Sequence, residues 1–279
     1  MSDALVSLVT TLADDELILG HRHSEWTGFA PHIEEDVAFS SIAQDEIGHS
    51  AALYDIAGRL TGREPDDIAF GRAPEEYRHA VLCERPNGDW SYTLARHWLY
   101  DSADAVRLEA LEATADEQLR ALVHKMRREE RYHLLHADAW LRRVAHGPVD
   151  GRSKLIDALG RAFGEAQSLF EPIEREDDAV AEGWLPVTSS ELRARFVEAA
   201  ARALDALGLP TDIRASLDDS AEFVASSSGD LIAAVPTGNG ERQVATSAGG
   251  GRRGRHSDDF RTLWSEMTST YRSSPGATW

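Results

Sequence analysis

Two copies of one pattern of metal-binding residue types lie in the first half of the chain. Each copy is an acid followed about thirty residues later by Glu-x-x-His, and the copies are Glu16, Glu46 and His49, then Asp101, Glu130 and His133. A Glu and a His three residues apart project from the same helix face, and about thirty residues make one antiparallel helix-to-helix return. Each copy can therefore bring three ligands to one level of a helical pair.

Together the two copies supply four carboxylates and two imidazoles, the inventory of a carboxylate-bridged site for two iron ions, with manganese as an alternative. Four carboxylates cancel the charge of two divalent ions, whereas buried acids without a cation must shift their pKa values or find partners. The residues Ile42, Ala43, Ile47 and Ala51 are expected to surround the first Glu-x-x-His with apolar groups. The other interpretation is a helical bundle whose polar residues only bond to one another.

Several neighbouring residues compete for the same roles. Asp14 or Asp15 can replace Glu16, Asp104 can replace Asp101, and His97 and His136 can act as further ligands or as hydrogen-bond donors. His21 and His23 carry less weight because they lie near the expected end of a helix. The spacing favours Glu16 and Asp101 as the upstream acids.

Hydrophobic periodicity predicts the helices that must position these residues. We expect helices over 4–27, from Pro31 to Gly62, from Trp90 onward and from Glu117 to Gly147, and over 62–88 either a long connection or one that contains a short helix of its own. The fold is therefore expected to be all-α, a ferritin-like four-helix bundle over 4–147 within a single domain of residues 1–279.

Further amphipathic helices are expected beyond the bundle, over 151–174, 188–207 and 257–271. Order is doubtful over 211–256, where Gly249 to Gly254 is typical of a flexible loop. The basic cluster of Arg252, Arg253 and Arg255 suits a coenzyme A phosphate or an acidic partner, although a solvated loop is the more common explanation. The terminal Trp279 is expected to dock on the bundle or on a partner.

Composition excludes several classes of protein. A net charge of −19 argues against a nucleic-acid partner, and the single cysteine, Cys83, excludes an internal disulfide framework or a thiolate-rich metal site. Hydrophobic residues make up 42% of the sequence, but no apolar run is long enough to span a membrane. The first residues include several acids and do not resemble a secretory signal. We expect a cytoplasmic protein, and a homo-oligomer is compatible with the sequence.

Four segments resemble the C-type subunit family of the phenylacetyl-CoA 1,2-epoxidase complex. They are LADDELILGHRHSEWTGFAPHIEEDVAFSSIAQDEIG, ERPNGDW, EERYHLLHADAWLRRV and GRRGRHSDDFRTLWSEM with the closing PGATW. The resemblance implies a ferritin-like bundle and a place in the oxygen-dependent epoxidation of an aromatic acyl-CoA. It also implies two partners, a reductase component and an A-type subunit. In that complex the di-iron centre lies in the A-type subunit, and the C-type subunit is generally its silent structural partner.

This chain departs from the C-type pattern. C-type chains usually have a non-ligand at the position of Glu16 and Gln at the position of His49, whereas the residues here resemble the A-type pattern. Three interpretations follow. The first is a di-iron oxygenase component, the second a scaffold that supports an A-type subunit without turnover, and the third a stand-alone di-metal protein of peroxide or oxygen defence.

Overall fold

The fold is built from α-helices of very different lengths. The computed structural model describes residues 3–209 and 249–274, and no strand occurs among them. The helices are α1 (Asp3–Ser24), α2 (Ile33–Thr61), α3 (Pro65–Phe70), α4 (Val81–Glu84), α5 (Trp90–Leu111), α6 (Glu117–Ala145), α7 (Val149–Ala166), α8 (Glu176–Ala181), α9 (Ser189–Ala206), α10 (Asp258–Met267) and α11 (Ser269–Ser273). The prediction of an all-α, ferritin-like fold is confirmed.

The four long helices α1, α2, α5 and α6 form the bundle. Contacts of His23 with Glu46 and of Asp14 with Tyr54 show that α1 and α2 run antiparallel. Contacts of His136 with Glu35 and of Glu129 with His49 show the same for α6 and α2. Contacts of Trp26 with Thr93 and of Asp15 with Arg107 show that α5 runs antiparallel to α1 and so parallel to α2, and the connection from Gly62 to Asp89 must therefore cross the length of the bundle. One long crossover in a four-helix bundle is the ferritin-like topology.

Local sequence explains where the long helices begin and end. The carboxylate of Asp89 accepts a hydrogen bond from the Tyr92 backbone N–H at 2.9 Å and caps α5, and Asp116 caps α6 in the same way. Gly62 ends α2 with φ at 73°, a conformation that favours glycine. None of the described helices is long and apolar enough to cross a membrane.

The helix boundaries differ from the sequence-based expectation in several places. Pro31 lies before α2 rather than in its first turn, and α1 ends at Ser24 rather than at residue 27. The connection over 62–88 contains α3 and α4, and the acidic connection after α7 contains α8. The last expected helix is divided into α10 and α11. Short helices lack enough turns to show a hydrophobic period.

The C-terminal residues 249–264, here called the C-terminal strap, pack against α1 and the crossover connection. The prediction of a flexible loop over Gly249–Gly254 is wrong, because a Cβ on Gly251 would lie only 2.1 Å from the backbone oxygen of His79. Glycine allows the two backbones to touch. Residues 210–248 lie outside the described part of the chain, as does Trp279, so neither the doubtful order of the first nor the docking of the second is addressed.

Arg252 anchors the C-terminal strap. Its guanidinium is 2% exposed and donates hydrogen bonds of 2.7 and 2.8 Å to the two carboxylate oxygens of Asp15 on α1. The predictions of a solvated loop or of a partner-facing cation are therefore wrong for Arg252, whereas Arg253 and Arg255 are exposed. The sequence could not show this contact because its two residues are 237 positions apart.

Candidate metal centre

Three consecutive acids on α1 point in three directions. Successive residues of a helix are turned by about 100° from one another. Asp14 accepts a hydrogen bond of 3.0 Å from the Arg72 guanidinium, and Asp15 binds Arg107 and Arg252. All three are buried, and Glu16 alone meets another of the predicted ligands, His49 of α2. Asp14 and Asp15 thus have structural partners of their own.

Glu16, His49 and Glu130 lie close enough together to hold one metal ion, with ligand atoms within 4.8 Å of one another. The Nδ1 atom of His49 is 3.1 Å from Glu16 and 3.4 Å from Glu130. His133 Nδ1 is 3.2 Å from the same Glu130 oxygen. The carboxylate of Glu130 therefore stands between the two histidines, one from each Glu-x-x-His.

Gly20 lets α1 and α2 approach each other one turn beyond Glu16. A Cβ on this residue would lie 2.9 Å from a side-chain carbon of Ile47 and 3.2 Å from Cβ of Glu46. The spacing of real Cβ contacts does not allow such an approach without movement of the neighbours. The absence of a side chain at this one position therefore sets how closely the ligands of α1 and α2 come together.

Each candidate histidine ligand is held by an acid of the opposite helix. His49 Nε2 lies 2.8 Å from Glu129 of α6, and His133 Nε2 lies 3.2 Å from Asp45 of α2. An imidazole that donates its Nε2 hydrogen to a carboxylate presents its Nδ1 lone pair on the other side. Both lone pairs then face inward, toward the carboxylates, which is the orientation needed to bind a cation.

Glu46 and Asp101, the remaining two predicted ligands, are each paired with another histidine. His23 Nδ1 lies 2.9 Å from both oxygens of Glu46, and His97 Nδ1 lies 3.1 Å from Asp101 Oδ2. Both acids are buried, at 1% exposure each. His23 received little weight in the sequence because it stands near the end of α1, yet its i+7 spacing from Glu16 places it on the same helix face.

Burial and mutual repulsion perturb the acids of this cluster. Burial, together with the charges of Glu16 and Glu130, raises the pKa of Glu46 well above its usual range. Burial and Glu130 likewise raise the pKa of Asp101. Carboxylates forced together in a low-dielectric interior resist ionisation unless positive charge is supplied.

The same negative charges stabilise the protonated form of the two histidines between these acids. Burial alone would lower the pKa of His49, but Glu130 and Glu16 overcome it and raise the pKa to about 12. Burial also opposes the charge of His133, and Glu130 raises its pKa to about 9. The cluster therefore attracts positive charge at the two Nδ1 positions, and either protons or metal ions can provide it.

Several buried polar atoms of the cluster make no well-directed hydrogen bond, although histidine nitrogens lie 3.1 to 3.4 Å from some of them. They are both oxygens of Asp101, both oxygens of Glu130 and Nδ1 of His133. Leaving such groups unsatisfied in a protein interior costs about 1–3 kcal/mol each and more for a charged group. Hard or borderline cations are bound by these same atom types. The donor set therefore fits metal ions, and it does not distinguish iron from manganese.

Comparison with known proteins assigns the chain to a family. The family model described as "Phenylacetic acid catabolic protein" matches residues 1–222. This chain belongs to the phenylacetic acid catabolic protein family. Within that family it is similar to the C subunit of the Escherichia coli K12 1,2-phenylacetyl-CoA epoxidase, with 31% identity over 193 residues that cover 69% of this chain and 77% of the relative.

A second member of the phenylacetic acid catabolic protein family, the A subunit of the same Escherichia coli enzyme, is 26% identical over 202 residues. That match covers 68% of this chain and 65% of the relative, so the chain spans just under two thirds of its length. The sequence-based identification of a C-type family member is confirmed.

The remaining histidines extend from the cluster toward the surface. His97 Nε2 lies 3.3 Å from His136 Nδ1, and His136 Nε2 lies 2.9 Å from Glu35 in the first turn of α2. Burial lowers the pKa of both histidines, to about 3 for His97. His97 and His136 are thus neutral groups between the buried acid Asp101 and the peripheral acid Glu35. Asp104, the alternative to Asp101, does not join them, because it accepts hydrogen bonds from Arg107.

Proposed function

We propose that this chain binds a carboxylate-bridged pair of iron ions and acts as an oxygenase component on an aromatic acyl-CoA in phenylacetate catabolism. Family membership supports the pathway. The observation that carries metal binding is the pair of inward-facing imidazoles, each held by an acid of the opposite helix, beside Glu130 and Asp101, whose carboxylates make no well-directed hydrogen bond. The proposed ligands are Glu16, Glu46, His49, Asp101, Glu130 and His133.

The six proposed ligands form two similar sets, one for each ion. Glu16 and His49 would hold one ion, Asp101 and His133 would hold the other, and Glu46 and Glu130 would lie between them. Tyr100 donates a hydrogen bond of 2.8 Å to one oxygen of Glu16 and leaves the other oxygen toward His49. When bound, the iron ions would supply the electrons and the Lewis acidity needed to activate dioxygen.

Epoxidation with dioxygen releases the second oxygen atom as water, so the reaction consumes protons as well as electrons. The electrons would come from a separate reductase. The contacts from Glu35 through His136 and His97 toward Asp101 give the protons a route from the surface, because a neutral imidazole can accept a proton at one nitrogen and release one from the other. An A-type subunit is a further proposed partner.

The second candidate function is a scaffold that supports an A-type subunit without turnover. The observation in its favour is the higher identity to the C subunit of the Escherichia coli enzyme than to its A subunit, 31% against 26%. The scaffold does not require bound metal, whereas the oxygenase component does. Metal content therefore separates the two functions.

The test is metal analysis of the full chain purified without a metal-affinity tag. We expect about two irons per chain in the wild type, as a bridged pair requires, and their loss in the Glu46→Ala/His49→Ala double variant. A matched control replaces Glu109 and His124, which are exposed on α5 and α6, with Ala. Metal-free wild-type protein that still binds an A-type subunit would exclude the oxygenase function and leave the scaffold.

A further inference from the structure

A second group of metal-binding residue types lies outside the bundle, where the C-terminal strap meets the crossover connection. His79 and Glu84 belong to that connection and His256 belongs to the strap; we call the three the strap cluster. Nε2 of His79 and Nδ1 of His256 each lie 2.8 Å from the same oxygen of Glu84. The side chains of His79 and Glu84 are 0% exposed and that of His256 is 3% exposed. Two imidazole nitrogens and a carboxylate oxygen therefore meet at one buried point.

The outer partners of the strap cluster are those that metal ligands usually have. Nε2 of His256 lies 3.1 Å from the backbone oxygen of Tyr77. A carbonyl oxygen only accepts hydrogen bonds, so this nitrogen carries the hydrogen. The second oxygen of Glu84 accepts a hydrogen bond of 2.7 Å from the Ser257 backbone N–H. A ligating histidine commonly donates its other N–H to a carbonyl, and a ligating carboxylate is commonly hydrogen-bonded in turn.

The orientation of His256 places positive charge between its Nδ1 atom and Glu84. With the hydrogen on Nε2, the neutral ring presents the lone pair of Nδ1 to a carboxylate oxygen, and two acceptors at this distance repel each other. Either a proton or a bound cation can remove the repulsion. The rings of His79 and His256 are stacked with their centroids 4.1 Å apart, so two protonated rings would also repel each other. One divalent ion accepts the lone pairs of all three groups at once.

We propose that the strap cluster binds one zinc ion through Nε2 of His79, Nδ1 of His256 and the carboxylate of Glu84. Zinc binds imidazole and carboxylate at about 2.0–2.2 Å in tetrahedral geometry, which separates two ligand atoms by about 3.3 Å. The contacts of 2.8 Å then need to open by only about 0.5 Å. The fourth position is left for a water molecule.

The surroundings of the strap cluster favour zinc over iron. Two histidines and one carboxylate also bind iron(II), but in sites that keep several positions open. Here the ring of Phe260 lies 4.3 Å from the ring of His79 and 4.8 Å from that of His256 and covers the cluster with an apolar group. A four-coordinate ion fits such an enclosed place. The zinc would be structural, because it would join Glu84 to His256 across 172 positions of the chain.

The test must separate the strap cluster from the candidate centre of the bundle, which can also take zinc. The full chain with Glu46→Ala/His49→Ala is purified without a metal-affinity tag, stripped with a chelator and titrated with zinc sulfate against a coloured chelator. We expect one zinc per chain. Adding His256→Ala should weaken zinc binding by more than the about 100-fold that loss of an outer partner costs. His146→Ala, at an exposed histidine after α6, is the matched control and should leave the affinity unchanged.

Limited proteolysis gives a second readout that needs no substitution in the strap cluster. Arg253 and Arg255 are exposed in the strap, and trypsin cuts after them when the strap opens locally. In the same double variant, zinc at about ten times its dissociation constant should slow this cleavage about tenfold, because it binds only the closed form. Absence of zinc binding, an affinity that His256→Ala leaves unchanged, or cleavage that zinc does not slow would each overturn the proposal.

Discussion

His49 and His133 are held by acids that stand immediately before the glutamates of the opposite Glu-x-x-His. Glu129 precedes Glu130 and bonds to His49, while Asp45 precedes Glu46 and bonds to His133. Each helix therefore supplies a carboxylate to the candidate centre and, from the preceding residue, the group that orients the other helix's imidazole. The two halves of the centre depend on each other through these crossed contacts.

Removal of one crossed contact should weaken metal binding while the ligands remain. The Glu129→Gln variant can leave His49 with the wrong tautomer, because an amide oxygen is a weaker acceptor than a carboxylate. We expect the metal affinity to fall about 10–100-fold, measured by competition with a coloured chelator. Glu109→Gln, on the exposed face of α5, is the control. Equal affinities of the two variants would contradict the orienting role of Glu129.

The route from Glu35 to Asp101 makes a separate kinetic prediction. Glu35→Gln should retain its metal but take up protons at least about tenfold more slowly when the reduced, iron-loaded protein meets dioxygen. The uptake is measured with a pH-indicator dye in stopped flow. Glu34→Gln removes the neighbouring exposed acid and should behave as the wild type. Identical rates for the two variants would exclude this route.

The six candidate ligands could be found from the sequence because their spacing follows from helix geometry alone. The structure brings Glu16, His49 and Glu130 within ligand distance and places His133 beside them. The roles of His23, Asp45 and Glu129 were not predicted, since they depend on which faces of α1, α2 and α6 meet. The assignment of the six as metal ligands stays a prediction until metal is measured.

Close packing of α1 against α2 sets the geometry of the candidate centre. Gly20 is a point of close approach between α1 and α2. The expectation that Ile47 and Ala51 surround the metal ligands is wrong, since both residues are exposed on α2. The long helices could be predicted because they span many turns, whereas α3, α4 and α8 are too short to show a period. The packing of α1 against α2 at Gly20 could not be predicted, since a glycine within a helix gives no sign of what faces it.

Gly20→Ala should separate α1 from α2 and disturb the centre. Overpacking of this kind costs about 1–3 kcal/mol of unfolding free energy, and the metal content should fall with it. Gly160→Ala in α7 is the matched control, because a Cβ there meets no atom within 4 Å. That control should gain about 0.5–1 kcal/mol from the improved helix propensity. Urea unfolding of both variants measures the difference, and equal stabilities would contradict the close approach.

A buried ion-pair cluster joins the first helix to the C-terminal strap. Burial alone would raise the pKa of Asp15, but Arg252 and Arg107 lower it to about 2, from an ordinary value of 3.8. Because the folded-state pKa is the lower one, the stabilisation is complete above pH 3.8 and is lost as the pH falls through about 2. Its size is about 2 kcal/mol.

Two variants test this cluster. Arg252→Met leaves Asp15 with one cation and should cost about 3–5 kcal/mol of unfolding free energy, while Arg253→Met on the exposed neighbour should change it by less than about 0.5 kcal/mol. In Asp15→Asn, the loss of stability on acidification toward about pH 2 should be smaller than in the wild type by the amount above. An unchanged acid dependence in Asp15→Asn would show that other carboxylates dominate it.

The contact between Asp15 and Arg252 also bears on the time during synthesis at which the candidate centre can form. The helix that carries Glu16 is made long before its anchor, which follows Asp15 by 237 positions. Synthesis proceeds at about 5–20 residues per second, so α1 waits many seconds for that anchor. We therefore expect the candidate centre to reach its final geometry only after the strap has left the ribosome, which would make the proposed metal insertion a late event in the life of the new chain.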